Sequence, residues 1–442
     1  MTQATPNPHP ITCNRFLAAL GPGILFAGAA IGVSHLVQST RAGAVYGLGL
    51  VGLVVLAHAM KLPAMLFGPR YAAATGRSLL HAYRRQGRWT LGLFGVVQVG
   101  TMFTIQAAIT LVTAALVGPL VVTPIGRVIG VLDDGQSAHA AWVSAMVLGT
   151  CVGVLALGGF RWLDRVVKAL MLVLAIGTVV AAGIALPSLD LGATPLLPTT
   201  YDLALLAFAV RLVGWMPAPL DITVWHSLWT LARKRQTGHD ATRRECSLDF
   251  LVGYGLCIVL AIAFVVLGAS VFYGSGEQPA ETAGGFANQL IRMYAETLGP
   301  WAKPLVATCA IAVMYSTTIT VLDAIPRTMA AFVRVARDGD CDRESGMGVG
   351  YWTFVGVLVA GALVIISRFP TSLLALVDLA TTLSFLGTPL LVFFNHRAMV
   401  SREVAAEHRP GRGMRAWSWA GIAFWTGFAL LFLGLTLFRT NG

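Results

Sequence analysis

A chain of 442 residues of which 56% are hydrophobic and only 12% charged lies far from soluble globular usage, in which about a quarter of residues are charged. It reads as an all-α polytopic membrane protein, so the net charge of +11 is a topology signal set by loop position and weighs against nucleic acid as a partner. No Walker-type phosphate loop, HExxH or GxSxG occurs, which leaves ATP-driven transport and the commonest hydrolase chemistries without support.

A hydrocarbon core of about 30 Å takes about 20 apolar residues per helix. That window predicts eleven transmembrane helices, near 17–38, 43–67, 91–117, 141–160, 167–187, 203–229, 248–273, 299–333, 350–367, 371–394 and 416–438. The N-terminus and alternate loops hold 24 of the 31 Lys and Arg, with Lys61 counted among them; the opposite loops hold 6, and Arg211 falls inside a span. Positive residues in short loops resist translocation. The N-terminal tail, residues 1–16, is therefore expected in the cytoplasm and the C-terminus outside, in a bacterial-type inner membrane. The tail lacks the basic, apolar and small-residue regions of a cleaved signal peptide, so the first span is expected to remain. Basic runs such as "RKRQTGHDATRR" read as retention charges against an anionic leaflet.

Span one, "LAALGPGILFAGAAIGVSHLVQ", crowds Gly21, Pro22, Gly23, Gly28 and Gly32 into its first two thirds. Glycine and proline at membrane depth free backbone groups, and unwound backbone survives there only when buried in protein or lining a cavity. A break over Gly32–His35 is expected. Span six, "LLAFAVRLVGWMPAPLDITVWHSLW", carries Pro217 and Pro219, neither of which donates to the helical ladder and each of which disfavours helix before it. Its break is expected over Val213–Leu220. Interrupted first and sixth spans point to a 5+5 inverted-repeat carrier with a midplane site, the repeats being 17–187 and 203–394 with 416–438 added. "MFTIQAAITLVTA" in span three echoes "MYSTTITVLDA" in span eight, five spans later, as such a repeat requires.

The stretches "GPGILFAGAAIGVSH", "RAGAVYGL", the "MP" of span six, "STTIT" in span eight and "LSFLGTPLL" in span ten resemble the Nramp family of proton-coupled divalent-metal transporters, of the wider LeuT-type fold. The resemblance implies a secondary active transporter that works by alternating access, with no catalytic residues and no cofactor, a divalent metal ion being substrate. Nramp proteins carry Asp-Pro-Gly-Asn at the first break, with metal ligands from the Asp and Asn. Those positions here are Gly32, Val33, Ser34 and His35. In span six the resemblance places a metal on the Met216 thioether and the Val213 carbonyl, while the family's proton-linked His is Ala218. The implied substrate site is Gly32, Ser34, His35, Val213 and Met216, with His35 and Met216 as side-chain ligands.

An imidazole, a thioether and carbonyls suit a soft or borderline transition metal but bring no negative charge, which a dication needs in a low-dielectric site. Ionisable residues at membrane depth are functional candidates by default. Asp221 and Asp323 are therefore expected to carry charge or protons together with His35 and Arg211, the arginine pairing with Asp323 or Asp378. His58, Gln106 and His226 are weaker candidates for pathway residues. A second expectation keeps the fold and exchanges the metal for a small organic solute or amino acid, which enlarged breaks and half-helix N-termini would admit. A third, a non-transporting sensor or intramembrane enzyme, rests on Ser34 and His35 alone and ranks last. Six scattered cysteines without CxxC spacing suggest neither a zinc site nor a disulfide framework.

Overall fold

The structure, a computed structural model, describes residues 21–128, 139–157, 160–189, 192, 194–338, 348–368 and 372–440. The expected tail at 1–16 lies outside these residues. In lipid every backbone polar group must be satisfied within the protein, which leaves the helix as the default for an apolar chain. The helices in order are α1 (Pro22–Ala30), α2 (Thr40–Tyr46), α3 (Val51–Thr75), α4 (Leu79–Gln86), α5 (Arg88–Val117), α6 (Thr123–Val128), α7 (Ala140–Leu157) and α8 (Phe160–Ala185). There follow α9 (Leu203–Gly214), α10 (Ile222–Thr237), α11 (Arg243–Phe272), α12 (Ala283–Leu298), α13 (Ala302–Asp338), α14 (Val349–Arg368), α15 (Leu373–Val400) and α16 (Arg412–Thr440). A π-helical turn, Ser34–Ser39, leads into α2.

Among the described residues, nine helices are long and apolar enough to cross a membrane, and ten spans result when the bent pair α1 and α2 is counted as one. The eleventh expected span is α9 and α10, two shorter helices on either side of a break. One boundary moves substantially. The second span is Val51–Thr75 rather than 43–67, with residues up to Tyr46 belonging to α2 and Lys61 inside the helix.

The most enclosed span is that containing α5, 72% buried along its apolar window, whereas that of α16 is 22% buried. Around α5 stand α13 and α15, and Thr113 of α5 meets Thr318 of α13 with their hydroxyl oxygens 2.7 Å apart. The two segments that echo each other in sequence thus touch in the core.

Helix α11 holds both halves of the broken first span through glycines. A Cβ on Gly253 would lie 2.2 Å from the Gly23 carbonyl oxygen, and one on Gly268 would lie 2.2 Å from that of Thr40. Reciprocally, a Cβ on Gly43 would lie 2.1 Å from the Val265 carbonyl. Small residues let backbones approach this closely, which is where helix packing in lipid draws its energy. Gly268→Ala is expected to cost about 1–3 kcal/mol, the usual penalty for overpacking, read as a lower thermal unfolding midpoint in detergent; an unchanged midpoint would show that the α2–α11 contact is slack.

Candidate functional site at the two helix breaks

The first break is shorter than expected and lies earlier. Ile31 and Gly32 leave the helix and the chain bends by 47°. Helix α13 sets this position: Thr317 donates its hydroxyl to the Gly28 carbonyl at 3.0 Å, and a Cβ on Gly32 would stand 3.0 Å from the Thr317 methyl. Ser34 and His35, expected inside the break, are in the π-helical turn that follows it.

His35 is fully buried, and both ring nitrogens are engaged by the protein. Nε2 lies 3.0 Å from the Cys257 carbonyl of α11, and Nδ1 lies 2.7 Å from the Ser34 hydroxyl and 3.1 Å from the Ala30 carbonyl. A carbonyl only accepts, so the neutral ring that satisfies the α11 contact carries its proton on Nε2. The ring ties the break to α11.

The second break falls where the prolines put it, α9 ending at Gly214 and α10 opening at Ile222. The last carbonyls of a helix have no intrahelical partner, and the end carries a partial negative charge. Here a lysine satisfies them. Lys61 of α3, fully buried, donates from Nζ to the carbonyls of Val213 at 2.9 Å, Gly214 at 2.9 Å and Ala218 at 3.2 Å. Lys61 is therefore no loop charge, and the Val213 carbonyl, expected on a metal, is on an ammonium.

Asp221 caps the other side of the break as the residue before α10, where the positive helix end favours a carboxylate. It is 3% exposed, with the Gln98 amide, the N–H groups of Asp221 and Ile222 and the Lys61 charge nearby, though none of these donors meets full hydrogen-bond geometry. Three other acids of the helical bundle are held. Asp378 receives Arg41 at 2.7 Å, Arg211 at 2.9 Å and Gln38 at 3.2 Å. Asp323 receives Tyr351 and Arg327, each at 2.7 Å, which places it in a contact between α13 and α14. Arg211 pairs with Asp378, not Asp323. Asp249 of α11 caps α1, accepting from the N–H groups of Gly21 at 3.1 Å and Gly23 at 2.6 Å.

Between the breaks lies a cavity of about 20 Å³, room for about one water. Ser34 and Thr317 are polar groups on its wall; Val33, Ile105, Trp215 and Trp225 make much of the rest. Trp215 is fixed by its indole N–H, which donates to the Ser384 hydroxyl of α15 at 2.7 Å. Of the expected site residues the structure brings Ser34 to the cavity, with Gly32 beside Thr317. Met216 is fully buried but is not among the cavity-lining residues, and His35 is not either. Of the expected pathway residues, Gln106 donates to Thr110 at 3.1 Å and His58 bonds the Val54 carbonyl at 2.8 Å. His226 packs its ring against Phe26 and Phe250, with centroids 5.9 and 5.6 Å away.

Sequence reasoning missed Lys61, Gln98, Thr317 and Asp249. A lysine at the eleventh residue of a 25-residue apolar helix was itself a signal, obscured by its assignment to a loop.

The chain is 35% identical over 438 residues, 98% of its length and 96% of the relative's, to an uncharacterized protein of Pasteurella multocida. It is 24% identical over 342 residues, 73% of its length and 70% of the relative's, to the divalent metal cation transporter MntH of Staphylococcus aureus. In fold it is similar to a manganese transporter of Eremococcus coleocola, crystallised with an aromatic bis-isothiourea compound, at TM-score 0.66 and 15% identity over 97% of this chain and 88% of that one. It also resembles Mhp1, a nucleobase-cation-symport-1 family transporter, at TM-score 0.55 and 14% identity over 94% and 93% of the two chains. The family described as natural resistance-associated macrophage protein-like matches residues 23–434, nearly all of the described structure, and the chain belongs to this Nramp family of membrane transporters.

Proposed function

We propose that the chain is a secondary carrier for a divalent transition-metal ion, working by alternating access around the two breaks, with Asp221 as the anion of the site. The observation that carries this is the buried carboxylate beside the span-six break, whose oxygens have no partner at full hydrogen-bond geometry among the described residues. A dication in a low-dielectric site requires a compensating charge, and Asp323, Asp378 and Asp249 are each committed to other donors. Ser34 supplies a hydroxyl on the cavity wall, while Asp221 and Met216, which lie behind that wall, would reach the ion only as the breaks rearrange. A proton taking the metal's place on Asp221 would couple uptake to the proton gradient.

The two ends of the molecule support the cycle. Asp378 joins α15 to Arg41 of α2, Arg211 of α9 and Gln38, while Asp249 joins α11 to the first residues of α1. With the N-terminus in the cytoplasm, the orientation that the loop charges favour, the first group would be the external latch and the second the internal one. Both hold and the space between them is small, which supports reading this conformation as close to an occluded state. Rocking between the repeat halves would break one latch while the other stays made. A cavity the size of one water admits no organic solute in this state, and nothing in the comparisons favours that reading over a metal.

The test is Mn²⁺ entry into proteoliposomes containing the full chain, followed with an entrapped metal-sensitive dye against Mg²⁺ and protein-free vesicles. Saturable Mn²⁺ entry is expected to be faster in vesicles with a more acidic exterior; entry no faster than into empty vesicles would overturn the reading.

A further inference from the structure

We infer that the carbonyls of the span-six break form a cage for a primary ammonium, filled in this chain by its own Lys61, which thereby stands in for a mobile monovalent co-ion. An ammonium has three N–H donors, and the cage offers three carbonyls, Val213, Gly214 and Ala218, at 2.9, 2.9 and 3.2 Å. The indole of Trp425, whose ring centre is 5.0 Å from Nζ, adds a cation–π face. Charge is balanced by the C-terminal end of α9 and by Asp221. The set lies behind the break. Ala218 lines the cavity on one side and turns its carbonyl to Lys61 on the other.

Such a set is a cation site whatever supplies the cation. A free monovalent ion bound there would be released and rebound in each cycle, whereas a tethered one never leaves the protein. The ammonium also keeps the Val213 carbonyl from the transported metal, so the metal's ligands must come from the cavity side of the break. The cage stands on its own geometry. Only its consequence, that uptake needs no Na⁺ or K⁺, rests on the carrier reading above.

Lys61→Ala empties the cage and leaves an apolar channel where the side chain ran, and Lys61→Met fills the channel without a charge. Thermal unfolding of the purified full chain in detergent is measured with propylammonium chloride, tetramethylammonium chloride or NaCl. Lys61→Ala is expected to melt several degrees below wild type and to be raised saturably by propylammonium, as a ligand specific to the folded state must do. Tetramethylammonium, which has no N–H, and NaCl should not raise it, and neither wild type nor Lys61→Met should respond to propylammonium. Recovery of folded Lys61→Ala only when propylammonium is present throughout purification would support the cage equally. The inference is overturned if propylammonium has no selective effect on Lys61→Ala, if Lys61→Met melts with wild type, or if neither variant folds under any of these salts. Wild-type metal entry with choline replacing Na⁺ and K⁺ is the separate arm. Unchanged entry supports the co-ion role and a loss overturns it, whereas absence of metal entry in every salt counts against the carrier and leaves the amine result standing.

Discussion

Asp221→Asn is expected to reduce Mn²⁺ entry by at least about tenfold, the lower range for losing a group that tunes a metal site, and to destabilise the protein at the same time. The two effects have separate causes. The amide occupies the same space but cannot compensate a dication, so the metal loses its counter-charge. It also leaves the Lys61 ammonium, fully buried, without the carboxylate charge near it, and a buried charge with less compensation is costly. A double variant separates them. Asp221→Asn with Lys61→Met removes both charges, so much of the stability is expected to return, since a neutral pair of similar volume is often tolerated. Metal entry should stay lost. Recovery of entry in the double variant would show that Asp221 serves only to balance Lys61, and the anion of the site would have to be sought elsewhere.

The spans and both breaks were legible because their causes are local. Glycines at 21, 23, 28 and 32 and prolines at 217 and 219 act on their own backbone, and an apolar run of span length declares itself. What was not legible depends on partners far along the chain. Lys61 reads as a boundary charge until the carbonyls it serves, more than 150 residues away, are in view. A helix whose lysine is satisfied internally can run on to Thr75, beyond the expected end at 67. His35 reads as a ligand because it titrates and sits near a break, but its ring is claimed by Cys257, 222 residues later. Asp323, Asp378 and Asp221 look alike in sequence, three acids in apolar helices. Only their partners distinguish a contact between two helices, a latch on three elements and a carboxylate that no cationic side chain pairs with directly.

Asp378→Ala is expected to open the external end. Its carboxylate receives two guanidinium groups, Arg41 at 2.7 Å and Arg211 at 2.9 Å, with side chains 13% and 33% exposed. Exposed ion pairs contribute about 0.2–1 kcal/mol each, while charge-assisted bonds in partly buried settings are roughly twice as strong as neutral ones. Losing both, with two like charges left facing each other, shifts the balance by about 1–3 kcal/mol, roughly five- to 150-fold between two states. A cysteine placed at Ala30 on the cavity wall, in a background without the native cysteines, reads this shift. In Asp378→Ala its reaction with a membrane-impermeant thiol reagent added outside should accelerate by about that factor, while metal entry slows because the occluded state is harder to reach. Arg41→Ala alone leaves Arg211 on the same carboxylate and should give a smaller acceleration. Asp378→Glu, which keeps the charge, should restore much of the protection. If Asp378→Ala leaves the labelling rate unchanged, the cluster is a structural tie within α2, α9 and α15, and the external gate lies elsewhere. If labelling accelerates only from the inside, the proposed orientation of the chain in the membrane is reversed.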